Sequence, residues 1–394
     1  MHDIKISAVH SARDQRRFLE FPYHLYRDTP NWVAPLRIDQ KEILDERRHP
    51  FYAHAEMQRF LATCGGEVSG RIAAIIDREA NTARNERVGT FGFFESVDSE
   101  SVAGALFAAA GAWLSERGMR LMRGPMNPSI NYETGLLVDG FDSTPRVMMT
   151  YNPGYYERLF QRAGLSRARD LLAYRLTRRN PEGERLRWSK LQRALRMVPM
   201  PGVKIRPVRM DQFDADVQGV WRIYNQAWRS NWGATPSSRA ELGYLARQLK
   251  PILIPDLALG AEVDGELVGF GIAVPDINQA VKHAHGRLFP FGRLKLLYYK
   301  SRIKSLRVVV LGVLDEYRDS GIPAGLYAEI YRRSLELGYT EAECSWVAED
   351  NRSMRKSLEF LGGERYKTYR IYEASLNQVS QPKPPGELPE KLPG

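Results

Sequence analysis

The sequence predicts an α/β (α+β) protein of two domains, each a mixed, mostly antiparallel twisted sheet flanked by helices. Three observations support this fold class. The 394 residues exceed the length of one ordinary domain. Short β-branched runs alternate with segments whose apolar residues recur at helical spacing. The order hairpin, strand, helix and strand occurs once in each half, which predicts two diverged copies of one architecture.

The first half opens with a strand and a helix and then follows that order. Gly65 and Gly66 separate two apolar runs and therefore predict a hairpin turn. Val102, Leu106 and Trp113 repeat at near-helical spacing in the helix that comes later. The predicted elements are a strand at 4–10, a helix beginning near Ser11, a hairpin at 55–77, a strand at 89–95, a helix at 100–118 and a strand at 120–125.

The second half repeats the order around Asp264-Gly265, a dipeptide typical of hairpin turns. The run from Leu306 to Val313 is short, apolar and β-branched, as expected of a buried strand. Gly338 follows an apolar stripe and predicts a helix end. The predicted elements are a strand at 203–209, helices at 213–224 and 239–249, a hairpin at 257–276, a central strand at 306–313 and a helix that ends before 338.

A long loop interrupts the first half at residues 127–156. It is dense in Asn, Gly, Pro and Asp, and long loops in compact domains often have a function. One interpretation is a substrate-recognition loop with Asn127, Asn131, Glu133 and Asp142 as polar contacts. The alternative is a compact loop whose Asn and Asp side chains satisfy their own backbone.

Three further segments differ in composition from the rest of the chain. Residues 277–305 are basic and aromatic, which predicts a helical lid on the sheet or, alternatively, a membrane-surface helix. Residues 177–202 predict a basic helical connector with one packed face. Residues 379–394 are rich in proline and poor in apolar residues, which predicts a disordered tail.

Composition and charge restrict the function classes. The net charge of +10 and the isoelectric point near 9.5 favour anionic partners. No apolar run of about eighteen residues predicts a membrane-spanning helix, and the N-terminus has no apolar signal core, so we expect a cytoplasmic protein. The two cysteines, Cys64 and Cys344, lie far apart, and no Cys/His spacing predicts a metal site.

The turn after the central strand is the strongest candidate site. Residues 315–321 are mostly polar and end in Gly321, and Pro323 stands where the first helical residue is expected. A bent loop that leads into a helix N-terminus presents backbone N–H groups and the positive end of the helix dipole. Such a turn can bind a phosphate group, and Gly321 has no Cβ to obstruct a diphosphate.

This stretch resembles the acyl-CoA-binding motif of the GNAT (Gcn5-related N-acetyltransferase) superfamily, whose pattern is Arg/Gln-x-x-Gly-x-Gly/Ala. Arg318 and Gly321 match it, whereas Pro323 replaces the last residue and Ala324 follows one position later. The resemblance extends to flanking elements. It implies a helix at 154–165 and a closing strand at 168–176 in the first half, and a strand within 342–351, a helix at 351–363 and a closing strand at 363–373 in the second half.

The resemblance implies that acetyl-CoA, or another acyl-CoA, is the cosubstrate and that no metal is needed. The end of the central strand would receive the pantetheine arm, and the N–H of Val313 would polarise the acyl carbonyl. The implied cofactor-binding residues are Leu311, Val313, Leu314, Arg318, Asp319, Ser320, Gly321, Ile322, Ala324, Gly325 and Asn351.

The resemblance also implies a base that takes a proton from the amine. Glu316 and Glu349 are the candidates we select, while Glu343 and Asp350 are also near in sequence. Asn351 corresponds to the asparagine of the family and is included among the catalytic candidates.

The leaving thiolate needs an acid, and the family commonly uses a tyrosine seven residues after its asparagine. Leu358 occupies that position and cannot donate a proton. Tyr366 on the closing strand is the substitute we select. Strand alternation places Tyr372 on the same face and Tyr369 on the other.

The first copy departs from the motif. The sequence SVDS stands where the arginine–glycine turn would be, and Asp98 and Glu100 would repel a diphosphate. We therefore expect a degenerate GNAT-like domain at 1–176 that does not bind acyl-CoA, and a GNAT acyltransferase domain at 203–378.

The sequence thus predicts an acyl-CoA-dependent N-acyltransferase, with acetyl transfer as the first expectation and an unidentified amine as acceptor. One alternative is a peptidyl aminoacyl transferase that uses aminoacyl-tRNA, because such enzymes also pair two GNAT-like domains and the chain is basic. The other is a non-catalytic CoA-binding or scaffolding module.

Overall fold

The computed structural model describes residues 3–178, 181–197, 202–229 and 231–379. Residues 380–394 of the predicted tail and residues 179–180 and 198–201 of the predicted connector lie outside the described residues. Within the described part of the chain, no helix is both long and apolar enough to cross a membrane.

The strands follow the predicted order, because the β-branched runs coincide with extended segments. They are β1 (Ile4–Ala8), β2 (Ala55–Cys64), β3 (Glu67–Asp77), β4 (Val88–Ser96), β5 (Leu121–Gly124), β6 (Met126–Asn127), β7 (Glu133–Thr134), β8 (Leu136–Asp139), β9 (Ser166–Thr177), β10 (Val203–Pro207), β11 (Ala258–Val263), β12 (Glu266–Pro275), β13 (Ser305–Val313), β14 (Glu341–Ala348) and β15 (Glu364–Ser375).

The helices begin at residues that cap the first turn in several cases, for example Ser11, Ser99 and Ser238, whose hydroxyl oxygens accept backbone N–H bonds. They are α1 (Ala12–Leu25), α2 (Arg37–Ile43), α3 (Arg78–Arg84), α4 (Glu100–Glu116), α5 (Tyr156–Arg162), α6 (Pro181–Met197), α7 (Phe213–Ala227), α8 (Arg239–Leu249), α9 (Asn278–Val281), α10 (Gly292–Lys300), α11 (Ile322–Glu336), α12 (Arg352–Phe360) and α13 (Leu376–Val379).

The two halves exchange their closing strands. Among the described residues, thirteen strands form one mixed sheet in the order β1-β2-β3-β4-β5-β15-β9-β14-β13-β12-β11-β10, with β8 paired to β15. Strand β9 ends the first half but pairs with β14 of the second, and β15 ends the second half but pairs with β5 of the first. The predicted α/β fold class, with mixed sheets flanked by helices, is confirmed, and the exchange makes the sheets of the two halves continuous.

Two large apolar cores follow from this arrangement. In the first half, helix α4 packs on β2 and β3 with Leu106 and Phe107 fully buried. In the second half, helix α11 packs on β12 and β13 with Leu326 fully buried. Tyr174 of β9 belongs to the second core and Tyr372 of β15 to the first, so each half completes its core with a strand of the other.

The loop at 127–156 contains β6, β7 and β8 and is fixed to the second half. The ammonium group of buried Lys367 donates to the carbonyl oxygens of Gly140 and Ser143, and burial lowers its pKa to about 8. Asp276 accepts from the guanidinium of Arg146 at 3.0 Å and from the N–H of Val147 at 2.9 Å. These contacts between distant parts of the chain hold the loop against β15 and the end of β12.

Candidate functional site

Strands β13 and β14 diverge midway along their length. Their parallel pairing extends only from Ser305–Glu341 to Val308–Cys344, although β13 continues to Val313. Beyond this point, the side of β13 that would pair with β14 faces a gap. The splay opens main-chain groups of a buried strand to a ligand.

Leu311 and Val313 are the residues whose main-chain groups face this gap. The N–H of Leu314 donates to the carbonyl of Val268 on β12 at 2.9 Å, and Gly312 stands opposite Phe270 in the same register. Because N–H directions alternate along an antiparallel pair, the intervening Leu311 and Val313 N–H groups point away from β12. Both residues line the cavity described below. Their N–H groups therefore face the side on which the predicted contact with the acyl carbonyl would be made.

The predicted diphosphate turn leads into the N-terminus of α11. Gly321 precedes the helix with φ −68°, so it uses ordinary helical geometry rather than a conformation restricted to glycine. The Ser320 hydroxyl oxygen accepts the N–H of Ile322 at 3.2 Å. Pro323 and Ala324 line the cavity at the positive end of the fifteen-residue helix.

Arg318, the arginine of the motif, is already bonded within the turn. Its guanidinium donates to the Asp315 carboxylate at 2.6 Å and to the carbonyl of Ala227 at 3.0 Å, while the side chain remains about half exposed. Arg318, Asp319 and Ser320 all line the cavity. The other predicted turn residues, Leu314, Gly321, Ile322 and Gly325, support the backbone and are not among the lining residues.

A cavity of about 1150 Å³ continues from the splay to the space between α7 and α8. Helix α8 directs an apolar stripe into it, at the i, i+3, i+4 and i+7 spacing that places side chains on one helix face. These side chains are half-buried rather than packed into a core. The stripe consists of Leu242, Leu245, Ala246 and Leu249.

Helix α7 forms the opposite wall. Tyr224 and Trp228 stack with ring centroids 4.8 Å apart, and both line the cavity. The indole of Trp228 lies directly over Gly312 of β13, where an added Cβ would be 2.4 Å from the ring. Gly312 is therefore required for close packing of the indole on the strand that carries Leu311 and Val313.

The first half contributes part of the cavity wall. Of the four polar contacts predicted in the loop at 127–156, one lies in this wall. Asn131 lines the cavity, and its side-chain oxygen accepts the Tyr224 hydroxyl at 2.8 Å. Asn127, Glu133 and Asp142, the other predicted contacts, are not lining residues. Burial raises the pKa of the Glu133 carboxyl to about 7.

Two of the predicted catalytic residues have structural partners. The Asn351 side chain accepts the Met354 N–H at 3.1 Å and so caps α12, although Asn351 also lines the cavity. The Glu349 carboxylate accepts the Asp170 N–H at 3.1 Å and binds Arg167 of β9. Glu316 is exposed on the outer side of the turn. Neither Glu316 nor Glu349 lines the cavity.

A buried polar network at the base of the splay joins two other candidates. The Tyr366 hydroxyl donates to the Glu343 carboxylate, and burial together with that carboxylate raises the pKa of the phenol. The Ser345 hydroxyl donates to the other Glu343 oxygen at 2.5 Å and accepts from Arg307 at 2.8 Å. Ser345 and Arg307 line the cavity, whereas Tyr366 and Glu343 lie behind them.

Two further carboxylates near the wall are bound by arginines. Arg206 and Arg209 bind the Asp216 carboxylate and lower its pKa to about 2. Arg169 binds Asp350 at 2.7 Å and lowers the pKa of that carboxyl. Among the described residues, no group of three or more His, Cys, Asp or Glu side chains is placed to hold a metal ion.

The equivalent splay in the first half is closed. Strand β4 pairs with β5 only from Val88 to Thr90, as β13 does with β14, but β6 then fills the gap. The N–H of Phe93 donates to the Asn127 side chain at 2.6 Å, and a Cβ at Gly92 would be 1.8 Å from the Met126 carbonyl oxygen. The first half therefore has no opening for a pantetheine arm at this position.

Sequence reasoning missed the walls of the cavity. Helices were predicted at 213–224 and 239–249 but no site was assigned to them, because apolar residues at helical spacing usually pack in a core. Residues 277–305 were expected to form a lid, but none of them lines the cavity. The sequence signalled the site through the strand–turn–helix motif and, for Asn131, through the loop at 127–156.

Comparisons with known proteins agree with this geometry. No protein-family model matches the chain. The chain superposes on a tandem GNAT protein from the clavulanic acid biosynthesis pathway with a TM-score of 0.55 and 14% identity, over 95% of this chain and 99% of that one. It is also 37% identical over 381 residues to a Caulobacter vibrioides protein named bacterial ceramide synthase, covering 95% of this chain and 98% of that protein. The chain belongs to the family of this relative, and its fold is that of a tandem GNAT protein.

A second relative of this chain is protein YghO of Escherichia coli strain K12. The two are 35% identical over 372 residues, which cover 93% of this chain and 94% of YghO. A fungal glucosamine N-acetyltransferase region superposes with a TM-score of 0.56 and 14% identity over 95% of this chain and 38% of that one. The GNAT resemblance of the sequence is therefore confirmed at the level of the fold.

Proposed function

We propose that the protein is an acyl-CoA-dependent N-acyltransferase that joins a long fatty acyl group to the amine of a long-chain base. The observation that carries this proposal is the apolar stripe of α8, which opens into the cavity at the splay of β13 and β14. The family relationship to a protein named bacterial ceramide synthase supports it, because a ceramide is the amide of a fatty acid and a long-chain amine.

In this proposal the acyl-CoA binds along the splay. The pantetheine arm pairs with the main chain of Leu311 and Val313, and the diphosphate lies at the turn 318–325 and the N-terminus of α11. Asn351, across the gap on the N-terminal side of α12, borders the same path. This proposal keeps the predicted cofactor-binding residues. The turn binds the diphosphate mainly through its backbone N–H groups, because the Arg318 side chain is already hydrogen-bonded.

The cavity favours long chains over the acetyl group first expected. Its volume of about 1150 Å³ exceeds the ~300–1,000 Å³ usual for small-molecule sites. The walls from α7 and α8 are largely aliphatic and aromatic, so each methylene of a bound chain would gain about 0.8 kcal/mol by leaving water. An acetyl group would leave most of this surface uncovered.

The chemistry requires one bond to form and one to break. The amine nitrogen attacks the thioester carbon, the C–N bond forms, the C–S bond breaks, and the thiolate of CoA accepts a proton. The N–H of Val313 stabilises the negative charge that develops on the carbonyl oxygen, and the N–H of Leu311, two residues back along the strand, is left for the pantetheine arm. The apolar walls disfavour the ammonium form of a bound long-chain amine, which lowers the pKa of the amine and supplies the neutral nucleophile.

Of the predicted carboxylates, we propose Glu343 as the proton acceptor, reached through the Ser345 hydroxyl that lines the cavity. Tyr366 shares this carboxylate and would return a proton toward the leaving thiolate. Glu316 and Glu349 receive no support from their positions, since both lie away from the cavity wall.

The test is an assay of the purified protein with palmitoyl-CoA and sphinganine, in which thiol release measures turnover and mass spectrometry identifies the amide. We expect amide formation with palmitoyl-CoA to exceed that with acetyl-CoA. Leu245→Lys, which puts a charge in the apolar stripe, should lower kcat/KM for the long-chain pair by about a hundredfold or more. Gln248→Lys, on the exposed face of the same helix, is the matched control.

Faster acetylation of short amines than acylation of sphinganine would contradict the long-chain assignment. CoA binding without thiol release for any amine would favour the non-catalytic module. Absence of CoA binding together with salt-sensitive tRNA binding would favour the aminoacyl-tRNA alternative.

A further inference from the structure

The segment around α10 presents a large apolar patch to solvent. Five neighbouring side chains are between 54% and 78% exposed, while α10 packs against α9 and the short turn Lys282–Ala284. A single exposed leucine needs no explanation, but a contiguous group of this size marks an interaction surface. The patch consists of Phe289, Phe291, Leu294, Leu297 and Tyr298.

Positive charge surrounds the patch, and the segment that forms it carries no acid of its own. Between Asp276 and Asp315 the sequence has no Asp or Glu. The Arg302 guanidinium lies 3.9 Å from the centroid of the Tyr298 ring, within the patch itself. The exposed cations of the segment are Lys282, Arg287, Arg293, Lys295, Lys300, Arg302 and Lys304.

We propose that residues 282–304 dock the protein on an anionic phospholipid bilayer. Phe and Leu side chains next to Lys and Arg are the composition that inserts at the headgroup boundary, where apolar groups enter the acyl region and cations meet phosphates. The complementary charge selects a lipid surface over a second copy of this chain, because two copies of a patch with seven cations and no acid would repel each other.

The patch is continuous with the wall of the cavity. The ammonium group of Lys300 donates to the carbonyl of Pro251 at 3.0 Å. Leu249 and Leu253, on either side of Pro251, line the cavity. Docking through α10 therefore brings the α8 side of the cavity to the bilayer surface. The proposal stands on exposure and charge alone, and it holds whether or not the acyl-transfer proposal does.

The test is flotation of the full-length protein with vesicles of phosphatidylcholine alone or mixed with phosphatidylglycerol. We expect binding to the mixed vesicles that weakens with added salt. Arg293→Ala/Lys295→Ala should weaken it roughly thirtyfold at low salt, from the loss of two cations near the surface. Leu294→Ser/Leu297→Ser should weaken it by about tenfold or more, through lost insertion.

Leu186→Ser/Met210→Ser changes two comparably exposed apolar side chains on other elements and should bind vesicles like the unaltered protein. Thermal unfolding of each variant checks that the fold is retained. Equal flotation with both vesicle types, or unchanged binding by both patch variants, would overturn the proposal. So would a dimer that dissociates on Leu294→Ser/Leu297→Ser, because the patch would then be an interface between copies.

Discussion

The N–H of Phe93 donates a 2.6 Å hydrogen bond to the side-chain oxygen of Asn127. This bond occupies the first half's counterpart of the splay at which Leu311 and Val313 face an open gap in the second half. The two halves share a strand arrangement. In the first half a side chain of the protein accepts the strand N–H, whereas in the second half the corresponding N–H groups face space for a ligand. The difference between a closed and an open splay explains why one half carries the candidate site.

Replacing Asn127 tests the closed splay. Asn127→Ala leaves the part-buried N–H of Phe93 without its acceptor, so the free energy of unfolding should fall by about 1–3 kcal/mol. Urea unfolding measures this change. CoA binding should remain as in the unaltered protein, since the second half is untouched. A large loss of CoA affinity would show instead that the first half takes part in cofactor binding.

The turn before α11 should be required for CoA binding. Arg318→Glu/Gly321→Asp places two carboxylates where the diphosphate is proposed to lie, and binding measured by calorimetric titration should be abolished because like charges repel. Asp98→Lys changes the charge in the corresponding turn of the first half and should leave the titration unaltered. Equal CoA affinity of the double variant and the unaltered protein would exclude the turn as the phosphate site.

Adding a side chain at Gly312 should displace the Trp228 indole. The Cβ would be 2.4 Å from the ring, and overpacking of this kind costs about 1–3 kcal/mol. Gly312→Val should therefore lower the melting temperature and raise KM for long-chain substrates. Gly104→Ala is the control, because no atom lies within 4 Å of its added Cβ and a helical alanine should stabilise by about 0.5–1 kcal/mol.

The stability of the contact between the halves should decrease at alkaline pH. Buried His54 lies 3.0 Å from Asp77 and 3.0 Å from Glu241, and these hydrogen bonds raise its pKa from 6.5 to about 10. The stabilisation is complete below the unfolded pKa and is lost as the pH rises through the folded pKa. The free energy of unfolding should fall between about pH 7 and 10, by up to ~1.4 kcal/mol per pH unit.

Urea unfolding across this pH range, with His54→Gln for comparison, isolates the histidine from other titrating groups. The difference in stability between the two proteins should be largest near pH 7 and should shrink toward pH 10. A constant difference would mean that the imidazole is uncharged in the folded protein and that the pKa is not raised.

The proposed route of the proton predicts a selective kinetic defect. Ser345→Ala removes the hydroxyl that connects the cavity to Glu343, so kcat should fall by about 10²–10⁴ with little change in KM. Ser320→Ala, on the turn, is a comparison that should affect CoA binding more than kcat. Unchanged kcat in Ser345→Ala would remove Glu343 from the mechanism.

The sequence by itself determined the element types and the strand–turn–helix motif. The β-branched run 306–313, the polar turn and the helix after Pro323 are local patterns, and backbone preference and side-chain periodicity act over a few residues. For the same reason, the hairpins at 55–77 and 257–276 were predicted within a few residues of their observed ends.

Only the tertiary structure decided how the halves combine. Which strand pairs with β14 depends on contacts between residues more than a hundred positions apart, and no local pattern distinguishes β9 from β15 as the partner. The same holds for Glu343, which is one carboxylate among several in the sequence. Ser345 lies two residues along the same strand, but Tyr366 reaches Glu343 only when β14 and β15 enter one sheet. The exposure of the α10 patch and the opening of the α8 stripe to the cavity also depend on long-range contacts. An apolar stripe in the sequence is equally compatible with a buried core, and only the positions of the neighbouring elements decide between the two.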